Sequence, residues 1–323
     1  MGTPIQHLTP ARDNAAAASP HIAVLLATKK GANHLEEQLR SYIAQTFENW
    51  SLHVSDDGSS DDTIDIIKRF AAANGRLQTL REGPHLGHAQ NFLSLAQNNS
   101  IAADYFAFSD QDDIWYPDKL ERAVSSLTGI SSTLPALYCS RTEIVDEHKN
   151  TLGLSPLFQK RPSFQNALVQ NIGGGNTMVF NRAAKRLFET RTAGDIVTHD
   201  WWAYQIITAV GGVVQYDPLP SLKYRQHGGN VLGANRGIQA KLGRVFKVFE
   251  GQWKEWNDRN VSALMEFSDS LTESNRLTLE HLIASRNADF LPMRLYRLKQ
   301  SGVYRQTLLG NCGLVAASVM RTL

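Results

Sequence analysis

HIAVLLATKKGANHLEEQLRSYIAQTFENWSLHVSDDGSSDD, residues 21–62, decides the fold. Residues 22–27 (IAVLLA) form an unbroken apolar run of strand length, and 50–55 (WSLHVS) read as the next strand. Between them Leu35, Leu39, Tyr42 and Ile43 recur at helical spacing within 33–45. Strand, helix, strand is one βαβ unit, the building block of a parallel sheet with helices on its faces. Asp61 and Asp62 then charge the start of a helix that turns Ile64, Ile66, Ile67 and Phe70 inward and stops at Asn74-Gly75.

The alternation continues outward. A third strand is predicted at 77–81, a helix at 86–97, a fourth strand at 104–108, a helix from Pro117 to about Leu127 and a fifth strand at 134–140. The pattern weakens over 141–170. It resumes with a glycine-rich turn into a strand at 171–182, a helix at 199–210, a break at Gly211-Gly212 and a strand at 213–216. Beyond Gln226 the chain turns helical, with Val245, Val248, Phe249 and Trp253 on one face. The predicted organisation is a leader at 1–20, an α/β domain at 21–235 divided at 140, and a helical extension at 236–323. No internal repeat interrupts it.

A 323-residue chain with 42% hydrophobic and 20% charged residues can bury a large core, which excludes a wholly disordered or fibrous protein. The net charge of +2 supplies no general field for nucleic acid. Cys139 and Cys312 fit no metal-ligand or disulfide framework, which favours a reducing cytoplasm. The leader lacks the apolar run of a signal peptide or a membrane span. After Asp289 the chain carries Arg294, Arg297, Lys299, Arg305 and Arg321 and no acid, interleaved with apolar residues such as Phe290, Met293 and Tyr296. Such a basic amphipathic tail fits either an anionic bilayer surface, at the inner face of the cytoplasmic membrane, or a helix packed on the core.

Two acidic turns fall at the same sheet edge. Asp56-Asp57 follow the second strand and Asp110 to Asp113 follow the fourth. Ligands of open α/β sheets bind at the carboxyl ends of the strands, so both turns lie where a nucleotide would. Three carboxylates within SDQDDIW (109–115) repel one another and call for a cation. Oxygen ligands in a partly hydrated site suit Mg²⁺ or Mn²⁺ bridging to a diphosphate. Asp200 opens a helix rich in Trp201, Trp202 and Tyr204, where it is either a cap or a general base, with the aromatic rings stacked on a sugar. His227, in a loop after the core, is a candidate metal ligand. Gly173-Gly174-Gly175 precedes a strand and so is no dinucleotide fingerprint, and no P-loop, nucleophile elbow or H-E-x-x-H motif occurs.

The ordered motifs of 22–63, SDQDDIWYPDKLE, HDWW and YRQHGGN strongly resemble glycosyltransferase family 2, in its rhamnosyltransferase-like branch, over roughly residues 21–232. The resemblance implies a GT-A fold and an inverting, metal-dependent transfer from a nucleotide-diphosphate sugar to a saccharide or lipid-linked acceptor. dTDP-rhamnose is the first choice of donor, with a UDP-hexose or UDP-N-acetylhexosamine as the alternative. By position, Ala27 and Thr28 line the nucleoside pocket, Asp57 binds the pyrimidine, and Asp110 with Gln111 approaches the ribose or bound water. Asp112 contacts the metal together with His227, and Asp200 is the base. The acceptor side is expected at Trp115, Gly174, Asn176, His199, Trp201 and Trp202. Many relatives read A-T-Y-N-G where this chain has Ala27-Thr28-Lys29-Lys30-Gly31, so Lys29 is expected to stack through its stem or reach the diphosphate. A nucleotidyltransferase would instead show a Gly- and Arg-rich loop at 28–33. An inactive sugar-binding protein would have lost one of these carboxylates.

Overall fold

The computed structural model describes residues 19–190, 195–226 and 238–323, with backbone only for 238–251. In chain order the elements are β1 (Ile22–Thr28), α1 (Leu35–Ile43), β2 (Trp50–Asp56), α2 (Thr63–Asn74), β3 (Leu77–Glu82), α3 (His88–Ala96), β4 (Tyr105–Ser109), β5 (Ile114–Trp115) and α4 (Lys119–Thr128). Then come β6 (Ala136–Val145), β7 (Thr151–Leu154), α5 (Phe164–Ala167), β8 (Val179–Asn181), α6 (Arg182–Glu189), α7 (His199–Ala209) and β9 (Val213–Arg225). Helices α8 (Ile238–Glu266), α9 (Glu273–Asn287), α10 (Leu291–Ser301) and α11 (Leu308–Met320) follow.

All nine strands of the described residues join one sheet in the order β3-β2-β1-β4-β8-β6-β9-β5, with β7 on β6. β3, β2, β1 and β4 run parallel, as the βαβ reading expects. Beyond β4 the sheet is mixed: β8 lies antiparallel between β4 and β6, β9 runs parallel to β6, and the two-residue β5 pairs antiparallel with β9. The weak pattern after 140 conceals this change, because β6 continues to Val145 and the fifth predicted strand is only its first half.

β1 is buried at all seven positions and shows how the layers form. Its alternate side chains point to opposite faces. Ile22, Val24 and Leu26 pack with α1, α2 and α4, whereas Ala23, Leu25 and Ala27 pack with α3, α6 and α7. The second cluster continues through Leu264, Leu279, Leu282, Leu298 and Leu314, so the C-terminal helices extend the same core. Asn275 Nδ2 donates to Thr208 O and Ala209 O, both at 2.9 Å, tying α9 to the last turn of α7. The tail is therefore packed on the core, with Arg294 buried in carbonyl contacts. The leader and the boundary expected near 236 lie outside the described residues, apart from residues 19 and 20. No helix among the described residues is long and apolar enough to cross a membrane.

Strand order reverses between β1 and β4, since β2 and β3 build to one side of β1 and β4 to the other. The carboxyl edge at that point is where such a sheet opens a crevice.

Candidate active site

A cavity of about 670 Å³ opens at this edge. It brings together Ala27, Thr28 and Lys29 at the end of β1, Asp57 after β2, Asp110 to Asp112 after β4, the Gly173–Asn176 loop, and His199 and Asp200 at the start of α7. Sites far apart in the chain thus share one chamber.

The two acids of the Asp56-Asp57 turn divide the work. Asp56 turns back into the fold, where Oδ1 accepts from Thr28 Oγ1 at 2.7 Å and Ser59 Oγ at 2.5 Å, and Oδ2 from Ser59 N at 2.7 Å. Gly58, at φ +85°, gives the turn its left-handed corner. Asp57 faces the cavity. Its Oδ1 accepts from His85 N at 2.6 Å and its Oδ2 lies 3.5 Å from Lys29 Nζ. The Thr28 hydroxyl is committed to Asp56, so Thr28 lines the wall without offering a free donor. Asn91 of α3, not singled out from the sequence, donates to Ser55 O at 3.0 Å and holds the β2 end of the crevice.

Gln111 has a use the sequence does not reveal. Its Oε1 accepts from Lys29 N and its Nε2 donates to Lys29 O, both at 2.9 Å, so the amide clamps the loop after β1 as a strand partner would. A Cβ on Gly31 would fall 2.3 Å from that Oε1, which is why glycine fits there. The ribose or water contact expected of Gln111 must share an amide already bonded on both ends.

The acidic turn packs three carboxyl groups together, of which Asp113 is fully buried. Burial pushes the Asp110 carboxyl up to about 6, opposed by His88, whose Nε2 is 3.8 Å away, and reinforced by Asp112 and Asp200. Asp110 Oδ1 is buried without a hydrogen-bond partner. Burial likewise raises Asp113 well above the usual carboxylate range, with Asp112 and Asp110 adding to it. Asp113 Oδ2 accepts from Asn176 Nδ2 at 2.6 Å, and Lys119 Nζ donates to the Asn176 carbonyl. Lys119 is wholly buried, 3.4 Å above the Trp115 ring, and burial lowers its pKa well below that of a free lysine. Sequence reasoning counts Asp113 among the three carboxylates of the turn without giving it a role, and passes over Lys119.

A divalent cation fits this donor set in part. The orphaned Asp110 oxygen and the mutual repulsion of the turn invite a positive charge. Among the described residues no three His, Cys, Asp or Glu side chains form a ready cage, so a bound diphosphate or residues elsewhere must complete the coordination. His227, expected as a metal ligand, lies outside the described residues.

On the opposite wall, Asp200 Oδ2 accepts from Gly175 N at 3.2 Å and Oδ1 from Trp201 N at 2.7 Å. Thr198 Oγ1 also accepts from Trp201 N, at 3.4 Å, so the cap of α7 has a residue of its own and Asp200 is not needed for that alone. His199 is buried, stacked on Phe92 at 3.9 Å, and both its ring nitrogens lack partners. Burial first, then His88, lowers its pKa and holds the ring neutral.

Three of the expected acceptor contacts are corrected. Trp115 packs against Tyr42 at 4.6 Å inside the core. Trp201 donates Nε1 to Ala167 O at 2.7 Å, and Trp202 lies against Phe267. All three are buried and off the cavity wall, Trp115 because β5 turns it into the core and the other two because α7 is enclosed on nearly every side. Gly174 and His199 do line the cavity, as does Asn176, whose side-chain amide is committed to Asp113.

Comparisons with known proteins place the chain in a family and match its fold. The family model described as Glycosyl transferase family 2 matches residues 23–188. The dTDP-rhamnosyl transferase RfbG of Shigella flexneri is 31% identical over 258 residues, covering 75% of this chain and 86% of its own. Among solved structures, S. aureus TarS 1-349 in complex with UDP-GlcNAc is 12% identical, with 94% of this chain and 88% of that chain covered and a TM-score of 0.53. GalNAc-T7 with UDP, GalNAc and Mn²⁺ is 11% identical, with 88% and 56% covered and a TM-score of 0.50.

Proposed function

The chain belongs to glycosyltransferase family 2, and from that premise we propose that it moves rhamnose, with inversion, from dTDP-rhamnose to a saccharide or lipid-linked acceptor of cell-envelope polysaccharide. It is a transferase of GT-A fold with a helical C-terminal extension. The observation that carries the reading is the single cavity that takes in Asp57, Asp112 and Asp200. The relative of Shigella flexneri supports the choice of donor. The same reading places the protein in the cytoplasm.

In this account Asp57 accepts from the pyrimidine, beside a Lys29 ammonium that steadies the base or the diphosphate. Asp200 faces the acceptor and removes the proton of the attacking hydroxyl, with the Gly175 N–H fixing the orientation of its carboxylate. Mn²⁺ or Mg²⁺, held by Asp112 with His227, would neutralise charge growing on the departing diphosphate. The neutral His199 ring, stacked on Phe92 and lying against Gly175, shapes the wall beside the base. Pre-placed groups of this kind lower the barrier because they need no reorganisation as charge develops.

Incubation with dTDP-rhamnose, Mn²⁺ and a panel of saccharide acceptors tests the proposal, with release of dTDP as the readout. Acceptor-dependent release is expected. Release only from a UDP-sugar would move the donor to a hexose or N-acetylhexosamine, and acceptor-independent inertness toward every nucleotide sugar would end the proposal.

A further inference from the structure

Helix α11 contains no charged residue, and its outward face is apolar. Leu308 and Leu309 are 82% and 75% exposed, and Val315, Val319 and Met320 are exposed along the same helix. A surface helix ordinarily shows water its polar side. Beside it α10 leaves Phe290, 69% exposed, and Met293 and Tyr296 uncovered. The two helices are fixed together, since Arg294 Nη1 donates to Ser318 O at 3.1 Å and Arg321 Nη2 to Asp289 O at 3.1 Å. An exposed apolar surface on this scale marks an interaction site.

The charge around it is mostly of one sign, the exposed Asp289 before Phe290 being paired with Arg321 at 3.0 Å. No Asp or Glu occurs from Phe290 to Leu323, nor between Glu147 and Glu189. Those two segments meet: Lys160 N donates to Gln306 Oε1 at 2.9 Å, Gln306 Nε2 donates back to Lys160 O at 3.1 Å, and Tyr304 OH donates to Arg161 O at 2.6 Å. Lys160, Arg161 and Lys299 are exposed at this junction or on α10. Gln306 is two residues from Leu308, and Lys160 is two residues from Phe158, which lines the catalytic cavity. Leu154 and Leu157, on the same stretch of chain, are exposed as well. The apolar end of α11 is thereby tied to the rim of the active site.

We propose that this face docks on an anionic bilayer, with Leu308 and Leu309 entering the interface and Lys160, Arg161 and Lys299 meeting the headgroups, so that the cavity receives a lipid-linked acceptor. The assignment of the acceptor class rests on the transferase reading of the cavity; the docking itself does not. Apolar insertion and attraction to anionic headgroups reinforce each other at such a surface. A second copy of the chain is the poorer occupant, because it would set the same cations against one another.

The test is flotation of the full chain with phosphatidylcholine vesicles, with and without phosphatidylglycerol. Binding is expected only with phosphatidylglycerol, and Leu308→Asp with Leu309→Asp should weaken it at least tenfold, whereas Leu308→Ile with Leu309→Ile should restore it. Both side chains are exposed, so circular dichroism should show unchanged folding. Failure of the wild-type chain to float, or flotation indifferent to the aspartates, overturns the docking surface. So does a dimer in sedimentation velocity that the aspartates dissociate. Calorimetric dTDP binding, followed in the same samples, reports on the cavity separately and should be equal in all three proteins.

Discussion

Gly175 donates its backbone N–H to Asp200 Oδ2 at 3.2 Å, so the glycine loop and the first turn of α7 form one unit. A Cβ on Gly175 would fall 2.1 Å from His199 Nε2, and that ring is wedged between Phe92 and Phe108 with no room to retreat. Gly175→Ala should therefore push the loop away from Asp200. The expected cost is about 1–3 kcal/mol of stability, seen in thermal melts, with a fall in turnover larger than any change in dTDP affinity. Wild-type turnover in this variant would detach the loop from the base.

Asp200→Asn keeps the shape and removes the basicity. Turnover should fall by about 10² to 10⁴-fold, the usual share of acid-base help, while calorimetric dTDP affinity stays unchanged. Equal turnover would remove Asp200 from the role of base.

Asp56 and Asp57 should separate stability from binding. Asp56→Ala strips the partners from Thr28 Oγ1, Ser59 N and Ser59 Oγ and should cost about 1–3 kcal/mol. Asp57→Ala removes the acceptor of His85 N and the 3.5 Å partner of Lys29, and should melt closer to the wild-type temperature than Asp56→Ala, yet lose dTDP affinity. The opposite pattern would exchange the two assignments.

The sequence makes the parallel half of the fold readable because β1 and β2 are buried runs joined by an amphipathic helix. The antiparallel half resists reading: β5 has two residues, β8 has three, and β9 carries Pro218 and Pro220 through a strand of thirteen. The acids at the cavity were legible because strand ends place them. Their division of labour was not, since neighbours in an extended chain point opposite ways. Trp201 and Trp202 look like sugar platforms in a motif, but α7 is buried almost all round and gives no periodic sign of which side faces the ligand, and the two-residue β5 gives none for Trp115. Lys119 follows Pro117 as an ordinary helix-start residue would, and only the packed structure reveals a lysine enclosed beneath the acidic turn.

His53 sets an acid limit on the fold. It is buried in β2 between Ser51 Oγ at 3.1 Å and Thr79 Oγ1 at 3.0 Å, and burial, with smaller help from His21 and Lys185, pushes its pKa down to about 4. With the folded value below the unfolded value of about 6.5, its contribution is complete above pH 6.5 and is lost as pH falls toward 4. The melting temperature of the wild-type chain should drop across that window more steeply than that of His53→Gln. Parallel curves for the two proteins would contradict this.

We propose that Asp112 and its neighbours bind a nucleotide diphosphate through a divalent cation in the cavity at the β1–β4 switch. Calorimetric titration of the wild-type chain and Asp112→Ala with dTDP, UDP and GDP, each with and without Mn²⁺, tests it most directly. dTDP should bind most tightly, only with Mn²⁺, and should lose that metal dependence together with its affinity in Asp112→Ala. Binding of no nucleotide by the folded wild-type chain, or binding indifferent to both Mn²⁺ and Asp112, would contradict it.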